Sequence, residues 1–290
     1  MNNLFAVLVT YNPSLPKLVT LLQVLKASGV ACCVVDNSVG VDFSSVSELC
    51  NLVFLGDNKG IATAQNVGIE ACIAQGAEKI VFFDQDSVIS LDFIAQLADA
   101  FSDPAVSVSA PVFSNEGQGF EYPLVDVDAR GLVCKRPLSS FSEAIDVSTV
   151  ISSGTMVDTR VFSVVGCMDE RLFIDYVDTE WCLRCMAAGI SIRVNPQARM
   201  LHSIGDQSLR FRFFVVPVHS PIRRYYRVRN SLLLLRMRHV PLLYSLREIA
   251  LNNAHQLIIL LFVPGRIQYL RHYVFAIVDG VKGVAGKFSW

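Results

Sequence analysis

The sequence predicts an α/β fold with a mostly parallel, Rossmann-like sheet and amphipathic helices at its C-terminus. Short apolar runs, typical of strands buried on both faces, alternate with segments of helical spacing. The chain has 290 residues, 52% of them hydrophobic, which is ample for a large core. Polar residues follow the apolar runs rather than interrupting them. We therefore expect ligand-binding groups at the carboxyl ends of the strands.

Four apolar runs in the first hundred residues predict four strand-helix units and a parallel sheet covered on both faces. The runs are 5–10, 31–35, 52–55 and 79–83. Leucines at helical spacing predict a helix over 14–28, which Gly29 ends. A second helix is predicted from Gly60 to about residue 75.

Beyond residue 105 the alternation weakens. We predict strands near 106–112, 131–134 and 151–157, a short helix at 161–165, and a helix at 175–188 that ends at Gly189. The core domain is predicted to cover residues 1–220. Basic, apolar helices are predicted over 221–290.

The charge of the chain changes sign near residue 199. Residues 1–198 hold 11 Lys or Arg against 23 Asp or Glu, whereas residues 199–290 hold 14 against 3. A basic and apolar region is typical of helices on an anionic membrane surface, and a homo-oligomer interface is the alternative. Polar residues interrupt each apolar run there, so a membrane-spanning helix is not predicted. Nucleic acid is not a predicted partner because no binding motif accompanies the charge.

Eight cysteines occur behind an N-terminus that shows no cleavable signal. This combination predicts free thiols in a cytoplasmic protein. Together with the basic, apolar C-terminal region, it predicts peripheral association with the inner face of the cell membrane. Cys182 and Cys185 have CxxC spacing, but no second CxxC accompanies them, which favours a structural role.

Two carboxylates, Asp84 and Asp86, follow the fourth apolar run. An ionised carboxylate at the end of a buried strand needs a partner, and a divalent cation that also binds substrate phosphates is a suitable one. A simple acidic turn is the alternative. Polar groups also follow the other strands, at Thr10-Tyr11-Asn12, Asp36-Asn37 and Asp57-Asn58. The carboxyl ends of parallel strands share one edge, so a single site is predicted there.

Small residues recur at the start of the second helix, where Gly60, Ala62, Ala64 and Gly68 surround Asn66. Small side chains let a ligand approach the backbone, and a helix N-terminus favours anions. Close packing of the helix on a strand is the alternative explanation.

Taken in order, these motifs resemble the family 2 glycosyltransferases of the GT-A fold, over about residues 4–240. Ser153-Gly154 and the pattern Asp178-x-Glu180-x-x-x-Arg184 complete the set. The stretches 83–87 and 173–184 are most similar to bacterial rhamnosyltransferases of cell-surface polysaccharide (O-antigen) assembly.

The resemblance implies a dTDP-sugar donor, dTDP-rhamnose, and a divalent cation, Mg²⁺ or Mn²⁺. Asp86 is the expected direct metal ligand, with Asp84 facing both the ribose and the cation. His202 matches a histidine that joins the metal shell in some members, and a buried core histidine is its alternative. The residues expected around the nucleotide and its sugar are Thr10, Tyr11, Asn12, Asp36 at the pyrimidine base, Asn58 and Asn66.

On the acceptor side, the resemblance implies a general base. Asp178 is the predicted base, and Asp175 is its rival because Val177 replaces the usual Glu of the pair. Glu180 and Arg184 have the spacing of a helical ion pair, which favours a structural salt bridge. Ser153 and Gly154 are expected on the acceptor side or in a structural role.

The implied reaction is inverting transfer of a deoxyhexose to a lipid-linked (polyprenyl diphosphate) glycan. Three alternatives stay open. They are a UDP-sugar-dependent transferase of the same fold, a nucleotidyltransferase, and a non-catalytic subunit that binds a sugar nucleotide.

Overall fold

A computed structural model describes residues 3–114, 122–201, 207–210 and 215–289. The strands are β1 (Leu4–Thr10), β2 (Ala31–Asp36), β3 (Asn51–Phe54), β4 (Lys79–Asp84), β5 (Val108–Ser114), β6 (Leu124–Val127), β7 (Val133–Arg136), β8 (Ile145–Val147), β9 (Met156–Asp158), β10 (Ile192–Leu201), β11 (Gln207–Arg210) and β12 (Val215–Val218). The helices are α1 (Leu15–Ala27), α2 (Ile61–Ala74), α3 (Phe93–Asp99), α4 (Arg160–Val165), α5 (Val177–Ala187), α6 (Pro221–Leu234), α7 (Leu242–Phe262) and α8 (Arg266–Lys282). Within the described ranges, every helix is too short or too polar to cross a lipid bilayer.

Eight strands form one central sheet in the order β3-β2-β1-β4-β9-β5-β10-β8. β1 runs parallel to β2 and β4, β2 to β3, and β5 to β10. β9 lies antiparallel between β4 and β5, and β8 is antiparallel to β10. The predicted α/β class, with a mostly parallel sheet and C-terminal helices, is confirmed.

Neighbouring residues of a strand point to opposite faces of the sheet, and helices cover both faces. On one face Val7 and Phe82 pack in a cluster that includes buried residues of α2 and α5. On the other face Leu8 and Phe83 pack with the buried leucines of α1 and with α3. These apolar layers hold the ends of β1, β2 and β4 at one edge.

Two details of the sequence prediction are wrong. No helix follows β2, since residues 37–50 are turns and irregular chain in which Phe43 and Val46 are the only deeply buried apolar residues. Two apolar side chains are too few for a helical stripe, which needs three or four per two turns. The strand predicted at 151–157 begins only at Met156, because Gly154, at a φ of 76°, turns the chain just before it.

The C-terminal helices pack on the sheet domain. Leu233, Leu234 and Tyr244 belong to the same apolar cluster as Val7. The Tyr176 hydroxyl, at the start of α5, donates a 2.8 Å hydrogen bond to Glu248 of α7. A domain boundary at residue 220 stays a prediction, and the packing across it is extensive.

Candidate active site

The strand register brings Thr10, Asp36 and Asp84 to the same edge of the sheet. Thr10 is the β-sheet partner of Asp36, and Val9 is the partner of Asp84. Each carboxylate therefore ends a strand adjacent to β1. This edge is where parallel α/β sheets bind ligands.

Asp36 is buried, at 2% exposure, and its carboxylate is oriented by two hydroxyl groups. Thr10 Oγ1 and Ser38 Oγ each donate a 2.7 Å hydrogen bond to Asp36 Oδ1. Ser38 Oγ in turn accepts from the backbone N–H of Asn12 at 2.6 Å. Ser38 is a supporting residue to which the sequence analysis assigned no role, although it follows Asp36 by only two positions.

Tyr11 is held through its backbone, and the residue is 52% exposed at the site. Gln85 Oε1 accepts from the Tyr11 N–H at 2.7 Å, and Gln85 Nε2 donates to the Tyr11 carbonyl at 3.3 Å. Gln85 lies between the two aspartates of the sequence motif. Its pairing with the chain after β1 is long-range, so the motif alone gave no sign of it.

The end of β4 is braced by Ser153. The Asp84 N–H donates to Ser153 Oγ at 3.1 Å, and the Ser87 hydroxyl lies 3.0 Å from the same atom. Gly154 N donates to the Phe82 carbonyl at 2.6 Å. Ser153 and Gly154 therefore support the segment that carries the two aspartates.

Asp84 is half-buried and Asp86 is exposed beyond it. Among the residues that the structure describes, no group of three or more His, Cys, Asp or Glu could hold a metal ion. His202 lies outside the described residues. An all-oxygen pair suits a hard cation such as Mg²⁺, which takes substrate phosphates and waters as its other ligands. The residues present thus fit a cation that the substrate helps to hold.

The side chains of Asn58 and Asn66 form hydrogen bonds within the protein. Asn58 Oδ1 accepts from Gly60 N at 3.0 Å, just before α2. Asn66 is buried, donates to the carbonyl of Met168 at 3.0 Å and to Glu170 at 2.8 Å, and accepts from the N–H of Met168 at 2.8 Å. These contacts support a positioning role for both amides, and their contact with a nucleotide-sugar stays a prediction.

The small residues of α2 are explained by close packing. A Cβ on Gly68 would clash with the Val7 side chain. A Cβ on Gly60, at a φ of 91°, would lie 2.6 Å from the carbonyl oxygen of Phe173. The packing alternative of the sequence analysis therefore accounts for both glycines.

Asp178 lies in the first turn of α5 and lines a small cavity together with Phe82, Ser152 and Trp181. Asp178 Oδ1 accepts from the N–H of Thr179 at 2.8 Å. Removal of the carboxyl group from water raises its pKa, the charge of Asp175 raises it further, and backbone N–H groups partly offset both. A carboxylate with a raised pKa suits a general base.

Asp175, the rival base, is engaged in ion pairs. Its side chain is 7% exposed and lies 3.4 Å from Arg223 Nε and 3.6 Å from Arg227 Nη1. An acceptor hydroxyl would have to displace at least one of these guanidinium contacts to reach the carboxylate. The geometry therefore favours Asp178 as the base.

Glu180 and Arg184 form the ion pair that their spacing predicts. Arg184 Nε lies 2.7 Å from Glu180 Oε1, and the guanidinium also donates to the carbonyls of Val165 at 2.6 Å and Cys167 at 2.7 Å. Glu180 is 1% exposed, and His239 Nε2 lies 2.7 Å from it. Burial raises the pKa of Glu180, whereas the charge of Arg184 lowers it. The pair braces the helix that carries Asp178.

The chain enters α5 through residues 172–176, which we call the α5 entry loop. Phe173, Asp175 and Tyr176 all have a φ of 64°, which is unfavourable for residues with a Cβ. Asn230 of α6 is fully buried, and its Nδ2 lies 2.9 Å from each of three loop carbonyls. Arg229 donates to the Leu172 carbonyl at 3.0 Å. The sequence analysis missed both residues, because they are more than 50 positions away from the loop.

The end of a parallel sheet thus carries oriented carboxylates, and a further buried carboxylate lies in the first turn of α5. The model of the glycosyl transferase family 2 matches residues 7–166, and the chain belongs to this family. The dTDP-rhamnosyl transferase RfbF of Shigella flexneri is 43% identical over 288 residues, which cover 98% of this chain and 97% of the relative. The resemblance stated from the motifs is confirmed.

Solved glycosyltransferase structures share the fold. Residues 1–349 of S. aureus TarS, in complex with UDP-GlcNAc, superpose with a TM-score of 0.59 at 16% identity, over 97% of this chain and 81% of that one. GalNAc-T7, in a crystal structure with UDP, GalNAc and Mn²⁺, gives a TM-score of 0.57 at 12% identity. That match covers 96% of this chain, which spans 57% of the GalNAc-T7 chain.

Proposed function

We propose that this glycosyltransferase moves L-rhamnose from dTDP-rhamnose onto a lipid-linked glycan, in the assembly of a cell-surface polysaccharide such as O-antigen. The observation that carries the donor assignment is the 43% identity, along nearly the whole chain, to a dTDP-rhamnosyl transferase. The buried carboxylate of Asp36, oriented at the end of its strand, supports the proposal that the donor nucleotide has a pyrimidine base.

The reaction proposed is a single displacement at the anomeric carbon of the sugar. The Asp178 carboxylate takes the proton of the acceptor hydroxyl while that oxygen forms the new glycosidic bond. The bond from the anomeric carbon to dTDP breaks on the opposite face, and its electron pair leaves with the diphosphate. The anomeric configuration is inverted as a result.

Asp84 and Asp86 are the proposed ligands of a divalent cation, Mg²⁺ or Mn²⁺, with His202 as a further candidate. When bound, the cation neutralises charge on the departing diphosphate. The chain's own residues prepare this edge, because Ser153 and Gly154 hold the end of β4 and Gln85 holds the chain after β1.

The proposal also places the protein peripherally at the cytoplasmic face of the membrane. α7 and α8 expose a group of large apolar side chains, namely Leu242, Leu243, Leu246, Leu257, Leu261, Phe262, Ile267, Leu270, Val274 and Val281. Arg247, Arg266 and Arg271 lie on the same two helices. Apolar and basic residues together fit an anionic bilayer, which would also hold the lipid-linked acceptor.

The test is release of nucleoside diphosphate by the purified protein, with lipid-linked glycan extract and a panel of dTDP-, UDP- and GDP-sugars. We expect release from dTDP-rhamnose that requires acceptor and Mg²⁺ or Mn²⁺, and that is lost in Asp86→Ala and Asp178→Asn. Asp103→Asn, at a half-exposed carboxylate that precedes β5, is the matched control and should keep activity.

Two outcomes would contradict the proposal. Release from UDP-sugars alone would support the UDP-dependent alternative. Metal-dependent nucleotide binding without release from any donor would support a non-catalytic subunit.

A further inference from the structure

Helix α6 concentrates positive charge beside the α5 entry loop. It carries Arg223, Arg224, Arg227 and Arg229 within seven residues. Arg224 and Arg229 are 1% and 0% exposed and donate to amide and carbonyl oxygens, including Asn252 Oδ1 at 2.7 Å and the Gly286 carbonyl at 2.6 Å. Neutral acceptors satisfy the N–H groups but leave the charges in place.

Arg223 and Arg227 lie four positions apart, on one face of the helix, and their side chains are 41% and 34% exposed. Both reach the same carboxylate, Asp175, at 3.4 and 3.6 Å. These distances exceed the roughly 2.7–2.9 Å of a good charge-assisted hydrogen bond. One carboxylate therefore serves two guanidinium groups, and neither contact is optimal.

One N–H group of Arg227 has no hydrogen-bond acceptor among the described residues. This group is the Nε–H, which is buried. The guanidinium carbon lies 5.7 Å from the centre of the Tyr176 ring, which keeps the group against the loop. A buried, charged N–H without an acceptor is costly, so this donor is suited to an anionic ligand.

The arginine pair lies near the proposed base. Asp175 precedes Asp178 by three residues, and its charge acts on the Asp178 carboxyl group. The adjoining Tyr176 is bonded to Glu248 of α7, the helix that exposes Leu242, Leu243 and Leu246. The pair is therefore linked through α7 to the surface that we propose rests on the membrane.

We propose that Arg223 and Arg227 form an anion subsite for the diphosphate of the lipid-linked acceptor. Asp175 occupies the pair in the absence of that ligand, and the diphosphate replaces it as acceptor, including at Arg227 Nε. Planar guanidinium groups suit phosphate oxygens because they can donate two parallel hydrogen bonds. The inference rests on the proposed function for the identity of the acceptor, but the anion subsite can be tested without any sugar transfer.

The probe is geranyl diphosphate, titrated calorimetrically into the full-length protein with EDTA and saturating dTDP, so that the donor site is filled. Geraniol is the uncharged control. We expect Arg223→Gln and Arg227→Gln each to weaken binding by about tenfold or more, because each removes charge-assisted hydrogen bonds. Arg160→Gln, which breaks the 2.7 Å ion pair with Asp158 at α4, is the matched control and should bind as the wild type does.

Asp175→Asn gives a prediction of the opposite sign. It removes the competing carboxylate while retaining both arginines, so binding of geranyl diphosphate should tighten severalfold. This variant keeps the inference falsifiable if an arginine variant folds poorly.

The subsite would be overturned by unchanged binding in both arginine variants, by weaker binding in Asp175→Asn, or by loss of binding when dTDP is present. Displacement of the probe by phosphatidylglycerol vesicles, and not by phosphatidylcholine vesicles, would assign the arginines to lipid headgroups and overturn the acceptor assignment.

Steady-state kinetics separate this inference from the proposed function. If the wild type transfers rhamnose, the arginine variants should raise KM for the lipid-linked acceptor and leave KM for dTDP-rhamnose unchanged. An unchanged acceptor KM would overturn the subsite alone. Absence of transfer by the wild type would overturn the proposed function, whereas the binding results with geranyl diphosphate would still stand.

Discussion

The Thr10 hydroxyl donates a 2.7 Å hydrogen bond to Asp36 Oδ1, across the β1–β2 pair in which the two residues are register partners. Ser38 donates to the same oxygen from the chain just beyond β2. The carboxylate is thus oriented without a ligand, which would reduce the ordering required if it binds the nucleotide as we propose.

Thr10→Val tests this orientation. It leaves a buried carboxylate with one hydroxyl donor fewer, so we expect a loss of about 1–3 kcal/mol in the free energy of unfolding and weaker binding of dTDP. Urea denaturation and calorimetric titration measure the two effects. Thr20→Val, at an exposed position of α1, is the control. Equal dTDP affinity in Thr10→Val and wild type would contradict the proposal that the Thr10 hydroxyl orients Asp36 for the pyrimidine base.

The raised pKa of Asp178 predicts the pH dependence of activity. A base must be ionised, so kcat/KM should fall as the pH drops through the folded pKa of Asp178, which lies above the ordinary value of about 3.9. Asp178→Asn should lower the rate by about 10²–10⁴-fold. Asp175→Asn removes a neighbouring negative charge, so the acid limb should move to lower pH. An acid limb that disappears in Asp175→Asn instead would identify Asp175 as the base.

The same pKa shift predicts a stability effect of opposite sign to the activity effect. A raised pKa means that ionisation of Asp178 destabilises the fold at neutral pH, and that this cost disappears below the unfolded pKa of about 3.9. Asp178→Asn should therefore unfold at higher urea concentration than wild type at pH 7. The difference should shrink towards zero by about pH 4. Lower stability of the variant at pH 7 would contradict the buried, destabilising charge.

Alanine variants of Gly154 and Gly189 distinguish the cost of backbone strain from the cost of close packing. Both have a φ of 76°, but a Cβ on Gly154 would lie 2.7 Å from Pro111 Cγ, whereas nothing lies within 4 Å of one on Gly189. Gly189→Ala should cost about 1–2 kcal/mol, from the left-handed backbone alone. Gly154→Ala should cost about 1–3 kcal/mol more, from overpacking. Thermal unfolding of the two variants measures the difference, and equal costs would rule out the close contact.

Arg184→Met should destabilise the protein by about 3–5 kcal/mol, because Glu180 would keep a buried charge without its guanidinium partner. Adding Glu180→Gln should recover part of this loss. Arg171→Met, which breaks an ion pair whose arginine side chain is 67% exposed, is the control and should cost about 0–1 kcal/mol. Similar losses in both single variants would argue against a structural role specific to Arg184.

Local patterns predicted the first part of the fold well. The apolar runs of β1, β2 and β4 end at Thr10, Asp36 and Asp84, and the helix boundaries of α1 follow from its leucine spacing and Gly29. The antiparallel insertion of β9 between β4 and β5 was not predicted, because strand order depends on pairing between distant segments. Short-range periodicity contains no information about such pairing.

The supporting residues of the site could not be predicted either, because they act through contacts between distant segments. Gln85, Asn230 and Arg227 act through contacts with residues 52 to 74 positions away. The local sequence around each of these polar residues predicts only a surface position. By contrast, Glu180 and Arg184 were predictable as a pair, because one turn of a helix brings them together.

Because the α5 entry loop is held by Asn230, it can reach its native position only late in translation. The first four sheet strands along the chain, with α1 and α2, are complete by residue 84, and α5 is complete by residue 187. The side chain that holds the loop carbonyls is not translated until position 230. Domains generally fold as units while the chain emerges from the ribosome, so the α5 entry loop, which leads to the proposed base Asp178, cannot be held in place before α6 is available. Catalytic competence is therefore gained only after α6 has left the exit tunnel.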